Sequence, residues 1–263
     1  MQYFILQEIL YKIQVSKYCK SYIPKKKFKE YLRYHVNEKQ LLTLDIEDFF
    51  PSITYNIIYD LFHKLGYAKD VSTYLANLCT YIKINNKSNT TSNSKRFLPQ
   101  GAPTSPYLSN LVLKEFDDEI AKYCKEEKIK YTRYADDMAF SGNVINKEEI
   151  ESLVQKKLEK LGLNLKKEKT RLMLQNEPQI LSGVILNKKM QLPKKERNEI
   201  RQIMYFIKTF TLENHLERIK EKRDNYLLHL IGRVSYALSL NPDDKEFLDY
   251  KEYLNELEKK YYS

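Results

Sequence analysis

A mixed α+β fold, built on an antiparallel hairpin and ending in a helical part, is what this sequence predicts, and three stretches predict it. Tyr131 to Gly142, YTRYADDMAFSG, alternates into Tyr134-Ala135-Asp136-Asp137 and leaves through Met138-Ala139-Phe140, the pattern of two strands folded about an acidic turn. Leu41 to Ile46 is an apolar run bounded by Pro51 and reads as a buried central strand. From Lys194 onward the apolar spacing is helical throughout, so a boundary near residue 193 separates a mixed part, 1–193, from a helical part, 194–263.

The elements follow in order. Ile5, Leu6, Ile9, Leu10 and Ile13 are helically spaced, and a basic segment from Lys17 to Lys39 comes next, with His35 readable as a buried or capping histidine or as a special one. After the Leu41–Ile46 strand, Ile57, Ile58, Leu61, Phe62 and Leu65 mark an amphipathic helix closed by Gly66, and a second helix is expected over Val71 to Ile82. Asn85 to Arg96, NNKSNTTSNSKR, reads as a mobile surface loop. Ser105-Pro106 opens a helix with Leu108, Leu111, Val112, Phe116 and Ile120 on one face. Glu148 to Leu161 is helical and Gly162 ends it; Leu163-Asn164-Leu165 opens a strand leading to Lys166, Lys167, Lys169 and Arg171. Ile180–Leu186 and Met190–Leu192 predict a hairpin across Asn187-Lys188. Helices are expected about Ile200–Ile207, Leu216–Leu238 and Phe247–Leu257.

Composition narrows the classes of function. With 263 residues, 42% hydrophobic content and a mean hydropathy of −0.61, the chain has the makeup of a soluble globular protein of one large domain, or one with an appendage. Lysine and arginine number 45 against 35 acids, for a net charge of +10 and a pI near 9.2, which suits a polyanionic partner. Residues 1–44 hold nine basic residues and three acids, and residues 155–171 hold seven and two, so the excess gathers in two stretches. Cys19, Cys79 and Cys124 are odd in number and form no Cys-x-x-Cys pair; reduced cysteines of a cytoplasmic protein are expected, with no disulfide frame and no zinc site. No uncharged run of 18 residues occurs, and the N-terminus meets Glu8 and Lys12 early, so neither export nor a membrane span is expected.

The acidic turn carries the chemistry. Neighbouring side chains of a straight strand point to opposite faces, so only a turn lets Asp136 and Asp137 converge. Two anions about 4 Å apart repel by roughly 4 kcal/mol at an effective dielectric near 20, and a site that gathers them holds a cation; oxygen ligands favour Mg²⁺. The alternative is plain turn chemistry, since aspartates are common in turns. Asp45 stands near the end of the central strand, where a charge needs a partner, and it is the first candidate to join the acidic pair. Gln100-Gly101 precedes the Ser105 helix, and a glycine turn feeding a helix can receive an anion or do no more than turn.

Three motifs in this order resemble a known family. Leu44-Asp45-Ile46-Glu47-Asp48-Phe49-Phe50-Pro51-Ser52-Ile53, then Leu98-Pro99-Gln100-Gly101-Ala102-Pro103-Thr104-Ser105-Pro106, then Tyr134-Ala135-Asp136-Asp137 resemble the successive palm motifs of bacterial reverse transcriptases, most closely the retron type. The resemblance runs from about Ile5 to about Pro242. It implies a right-hand polymerase fold with partial fingers, an antiparallel-sheet palm and a helical thumb. It implies that Asp45, Asp136 and Asp137 bind two Mg²⁺ and catalyse nucleotidyl transfer, and that Phe50 is the aromatic gate against a ribose 2′-hydroxyl. Gln100 and Gly101 would contact nucleotide and template. Lys169 would bind the nucleotide and donate a proton to pyrophosphate. Tyr134, Gly183, Arg223 and Tyr226 would hold nucleic acid.

The partners implied are a noncoding RNA serving as template and primer, its DNA product, deoxynucleoside triphosphates and an effector protein in antiphage defence. Two departures loosen the retron assignment within bacterial reverse transcriptases: only His35 remains of a usual Asn-Ala-x-x-His, and Leu181-Ser182-Gly183 replaces a usual Val-Thr-Gly. The first fingers hairpin of the family would fall ahead of residue 1. Intron-type or abortive-infection reverse transcriptases, and a non-catalytic RNA-binding scaffold of the same fold, are the alternatives.

Overall fold

A computed structural model describes residues 1–82 and 95–262, and most of the loop expected at Asn85–Arg96 lies outside the described residues. The strands are β1 (Gln40–Asp45), β2 (Tyr81–Ile82), β3 (Arg96–Phe97), β4 (Lys130–Tyr134), β5 (Asp137–Gly142), β6 (Arg171–Leu174), β7 (Ile180–Leu181) and β8 (Val184–Ile185). The helices are α1 (Gln2–Phe4), α2 (Phe28–Arg33), α3 (Phe49–Ser52), α4 (Tyr55–Lys64), α5 (Lys69–Cys79), α6 (Ser105–Val112), α7 (Lys114–Glu126), α8 (Lys147–Glu159), α9 (Lys194–Phe210), α10 (Leu212–Ile219), α11 (Tyr226–Leu240) and α12 (Lys245–Tyr262). The chain forms two compact units, Met1–Glu177 and Pro178–Ser263.

In the first unit β4, β5, β1 and β6 form one antiparallel sheet in that order, so the apolar run around Leu41–Leu44 is central, as its composition predicts. Register decides what each face carries. Leu42 stands opposite Phe140 and Leu44 opposite Met138, and these side chains share a core with Ile58 and Phe62 of α4, Leu108 of α6, Phe116 and Ile120 of α7 and Val154 and Leu158 of α8. The intervening positions pair Leu41 with Ser141, Thr43 with Ala139 and Asp45 with Asp137, so the acids fall on the face turned away from that core. His35 is fully buried and bonds Ser141 Oγ through Nδ1 at 2.7 Å and Thr132 Oγ1 through Nε2 at 2.6 Å, joining β5 to β4. It is a structural histidine.

Several elements differ from the sequence reading. The helix expected to reach Ile82 stops at Cys79, because β-branched and aromatic Tyr81-Ile82 pair with Arg96-Phe97 instead. The long helical spacing from Leu108 toward Cys124 is two helices that part at Leu113, where ψ opens to 7°. Lys169 lies in a single tight turn, Lys167–Lys169, after an isolated bridge from Leu165 to Ile46; the strand starts only at Arg171.

In the second unit, the hairpin turns at Ser182-Gly183, not at Asn187-Lys188. Both turn residues have positive φ, 45° and 82°, the conformation a two-residue turn demands, and Gly183 meets it without strain. The later stretch survives as one bridge between Ile185 and Gln191. The helix expected over Leu216–Leu238 is broken at Lys220, which takes a left-handed conformation, and resumes at Tyr226. Ile200, Met204 and Ile207 make the buried stripe of α9, and Arg197, Arg201 and Lys208 tie that helix to Asp244, Glu246 and Asp249 of the α12 region. Among the described residues no helix is long and apolar enough to cross a membrane.

Candidate active site

The acidic hairpin is tighter than its sequence reads. Only Ala135 and Asp136 form the turn, and Asp137 is already the first residue of β5, paired with Tyr134 on one side and with Asp45 on the other. Ala135 makes this possible by adopting φ +56°, a conformation usually left to glycine in such turns. Register, and not the tip alone, is therefore what collects the acids. Asp136 hangs from the same place: its carbonyl accepts the Ile46 amide at 3.2 Å, the next rung beyond Asp45.

Asp45 and Asp137 lie directly opposite each other. The Asp45 carbonyl turns the other way to accept Lys166 N at 2.8 Å, so the pair is of the non-hydrogen-bonded kind, whose side chains sit closest. At the roughly 5 Å usual for such a pair, two carboxylates repel by about 3 kcal/mol at an effective dielectric near 20. Asp45 is buried and its Oδ2 accepts from Lys169 Nζ at 2.7 Å. This bond raises the ammonium's pKa, and Asp45, Asp136 and Asp137 all add to it through their charge. The carboxyl of Asp136 is pushed above its ordinary range, first by burial and then by the charge of Asp45. The three acids thus share one electrostatic site with one lysine.

That donor set fits a divalent metal. It is all carboxylate oxygen, burial and the charge of Asp45 disfavour the anion of Asp136, and the chain already sets a cation against it. Among the described residues no three His, Cys, Asp or Glu are gathered ready about a point, and the Asp45 oxygen is given to Lys169. Asp45, Asp136 and Asp137 are the residues that would hold an ion.

The other expected site residues are spread along the chain. Phe50, half-buried at the start of α3, has its ring 5.2 Å from that of Phe49. Gln100 and Gly101 are exposed, and their loop is fixed beside α3 by the Leu98 amide on the Ile53 carbonyl at 3.0 Å. Gly101 has φ +82° and no protein atom within 4 Å of where a Cβ would stand, so its backbone is open to approach from outside. Tyr134 packs its half-buried ring edge-on to Phe28 at 5.2 Å and beside Tyr31 at 5.3 Å. In the second unit, Gly183 is in the β7–β8 turn and Arg223 is held by Glu221 at 2.6 Å. Tyr226 is buried, its hydroxyl 2.9 Å from His215 Nε2.

Sequence reading passed over the residues behind the turn. Arg133 is fully buried and donates through Nε and Nη2 to the two oxygens of Asp117, at 2.8 and 2.7 Å, while Asp117 also accepts from Tyr131 OH at 2.8 Å. The signal was available: Asp117 occupies the apolar stripe of α7 with Leu113, Phe116, Ile120 and Cys124, where an unpaired acid is untenable.

A retron reverse transcriptase of Myxococcus xanthus, Mx65, is 31% identical over 250 residues, covering 93% of this chain and 56% of that protein. The retron Ec86 reverse transcriptase of Escherichia coli is 28% identical over 263 residues, covering 99% of this chain and 74% of that one. The chain therefore spans little more than half of the first relative. Among solved structures, telomerase from Candida albicans in complex with a fragment of telomeric RNA is 11% identical and covers 95% of this chain and 46% of that one, with a TM-score of 0.49. Residues 3–224 match the family description "Reverse transcriptase (RNA-dependent DNA polymerase)", and the chain belongs to that family.

Proposed function

We propose that this chain is the polymerising part of a retron-type reverse transcriptase, an RNA-directed DNA polymerase. One observation carries the reading: Asp45 and Asp137 are register partners beside the Asp136 turn, so acids distant in sequence share one end of the sheet. Family membership and the likeness to retron enzymes support it. Two bound divalent ions, Mg²⁺ for an all-oxygen donor set, would stabilise charge on the attacking and leaving oxygens of an in-line displacement.

In this reading the primer hydroxyl attacks the α-phosphate of an incoming deoxynucleoside triphosphate and pyrophosphate leaves. Lys169 carries the ammonium that would protonate the leaving group, and its contact with Asp45 supports that role. Phe50 walls the sugar site, Gln100 and Gly101 meet nucleotide and template, and Tyr134, Gly183 and Arg223 hold nucleic acid; Tyr226, expected with them, is buried against His215 and presents almost no surface for it. Residues 1–193 would serve as fingers and palm and 194–263 as thumb.

The retron likeness further supports a dedicated noncoding RNA as template and as primer through a 2′-hydroxyl, an effector partner and a role in antiphage defence. Three buried free cysteines fit a cytoplasmic setting. The test is DNA synthesis on the RNA that copurifies with the protein, followed by sequencing of the product. A branched RNA-linked DNA, abolished by Asp136→Asn, is the expected result. A second reading, a non-catalytic RNA-binding scaffold, is kept because no ready metal cluster occurs among the described residues. RNA binding that ignores Mg²⁺, with no nucleotide incorporated, would establish it.

A further inference from the structure

We propose that Ser21 and Arg133 clamp the Ala135 peptide and so set the aim of the catalytic acids; both are positioning residues, and their effect on rate rests on the polymerase reading above. In a two-residue hairpin turn the first turn residue has no ladder partner, so its amide and carbonyl must be satisfied elsewhere. Ala135 is 5% exposed, which leaves water little access. Its amide donates to Ser21 Oγ at 2.8 Å and its carbonyl accepts from Arg133 Nη1 at 2.8 Å.

Both holders are themselves held. Arg133 is fixed by the two oxygens of Asp117 and reaches Asn110 Oδ1 at 3.3 Å, and Asn110 Nδ2 donates to the Ser21 carbonyl at 2.8 Å. The contacts close into a ring, Ser21 to Ala135 to Arg133 to Asn110 and back, and the four polar members of this network, Ser21, Asn110, Asp117 and Arg133, have no exposed surface. Asp117 balances the charge of the buried arginine but takes only two of its five N–H donors, so Nη1 must find partners elsewhere. Here its remaining nitrogen is spent on the one residue of the hairpin with left-handed backbone, immediately before Asp136. The Asp136 peptide is therefore fixed from two sides, by the clamp through Ala135 and by β1 through Ile46 N. Without the clamp only the strand pairing on either side of the turn opposes the preference of an L residue to leave φ +56°.

Removing Arg133 or Asp117 risks unfolding, because it strands a buried charge, so Ser21 is the residue to change. Ser21→Ala should fold, and should lower kcat for deoxynucleotide incorporation on a primed RNA template by about 10- to 100-fold with KM little changed. Adding Ala135→Gly should restore most of the loss, since glycine takes positive φ without strain. Amide exchange in Ser21→Ala should quicken at Ile46 as well as at Ala135. Unchanged kcat in Ser21→Ala, a loss that glycine leaves in place, or faster exchange at Ala135 alone overturns the clamp. If the wild-type protein makes no DNA the polymerase reading fails, and exchange at Ile46 alone then decides for or against the clamp.

Discussion

Lys169 donates from Nζ to Asp45 Oδ2 across 2.7 Å, an ammonium set on the buried member of three neighbouring carboxylates. The lysine is half exposed, and an ion pair of that kind contributes about 1 kcal/mol or less. Its importance is competitive: any ion held by Asp45 must displace or share that ammonium. Lys169→Met should therefore tighten Mg²⁺ or Mn²⁺ binding by up to about fivefold while lowering the rate of nucleotide incorporation. Calorimetric titration with the metal alone checks the first part. Weaker metal binding in the variant would show that Lys169 assists the ion and does not compete with it.

Phe50 is the second residue of α3, five residues after Asp45, and is half-buried against Phe49, so its ring is supported from behind. A wall of this size discriminates by shape, and the removal of such a contact is worth about 1–3 kcal/mol, or 10- to 200-fold. Phe50→Ala should narrow the preference for deoxy- over ribonucleoside triphosphates by a factor in that range. The measurement is kcat/KM for each nucleotide on one template. A ratio equal to that of the wild type would remove Phe50 from the sugar site.

The central strand and the hairpin were legible because their signals are local: an apolar run reads as a buried strand, and alternation about Asp136-Asp137 reads as a turn. The place of the turn was not, because Ala135 at φ +56° breaks the rule that glycine or asparagine marks such positions. What lets an alanine hold that shape is contributed by Ser21 and by Arg133, fixed through Asn110 and Asp117, at separations of up to 114 residues that no window of sequence can see. The pairing of Asp45 with Asp137 was open for the same reason, since it depends on which strands become neighbours. The Ser182-Gly183 turn was misjudged differently: two turn signals, Ser182-Gly183 and Asn187-Lys188, lay five residues apart and the sequence does not rank them.

Buried charge makes two aspartates behave in opposite ways. Asp117 is paired with Arg133 in the core, and Asp117→Asn leaves the guanidinium uncompensated, at a cost of about 3–5 kcal/mol. Asp136 is disfavoured as an anion by burial and by Asp45, so Asp136→Asn should melt slightly higher than the wild type when divalent ions are chelated. Thermal melts of both variants in EDTA and in Mg²⁺ test the contrast. If Asp136→Asn were destabilised in EDTA, the acids would not be strained against one another.

His35 gives the fold a defined sensitivity to acid. Burial, with Lys130 and Lys20 adding to it, lowers its pKa from 6.5 to about 3, so the folded protein keeps the ring neutral between Thr132 and Ser141. A neutral ring has one donor and one acceptor, which matches two hydroxyls that can each rotate to suit. The unfolded chain takes up a proton below its pKa of about 6.5, while the folded chain does so only near 3. Unfolding therefore binds a proton in that window, and stability contributed by this residue is complete above about pH 6.5 and falls as pH falls toward 3. Between pH 7.5 and 5.5 the loss should be about 1.4 kcal/mol. Other groups titrate in the same range, so the measurement is a difference. Denaturant unfolding of wild type and His35→Gln across these pH values should show the variant less stable at pH 7.5 but with a shallower decline. Parallel declines in the two proteins would mean that His35 is not held neutral in the folded state.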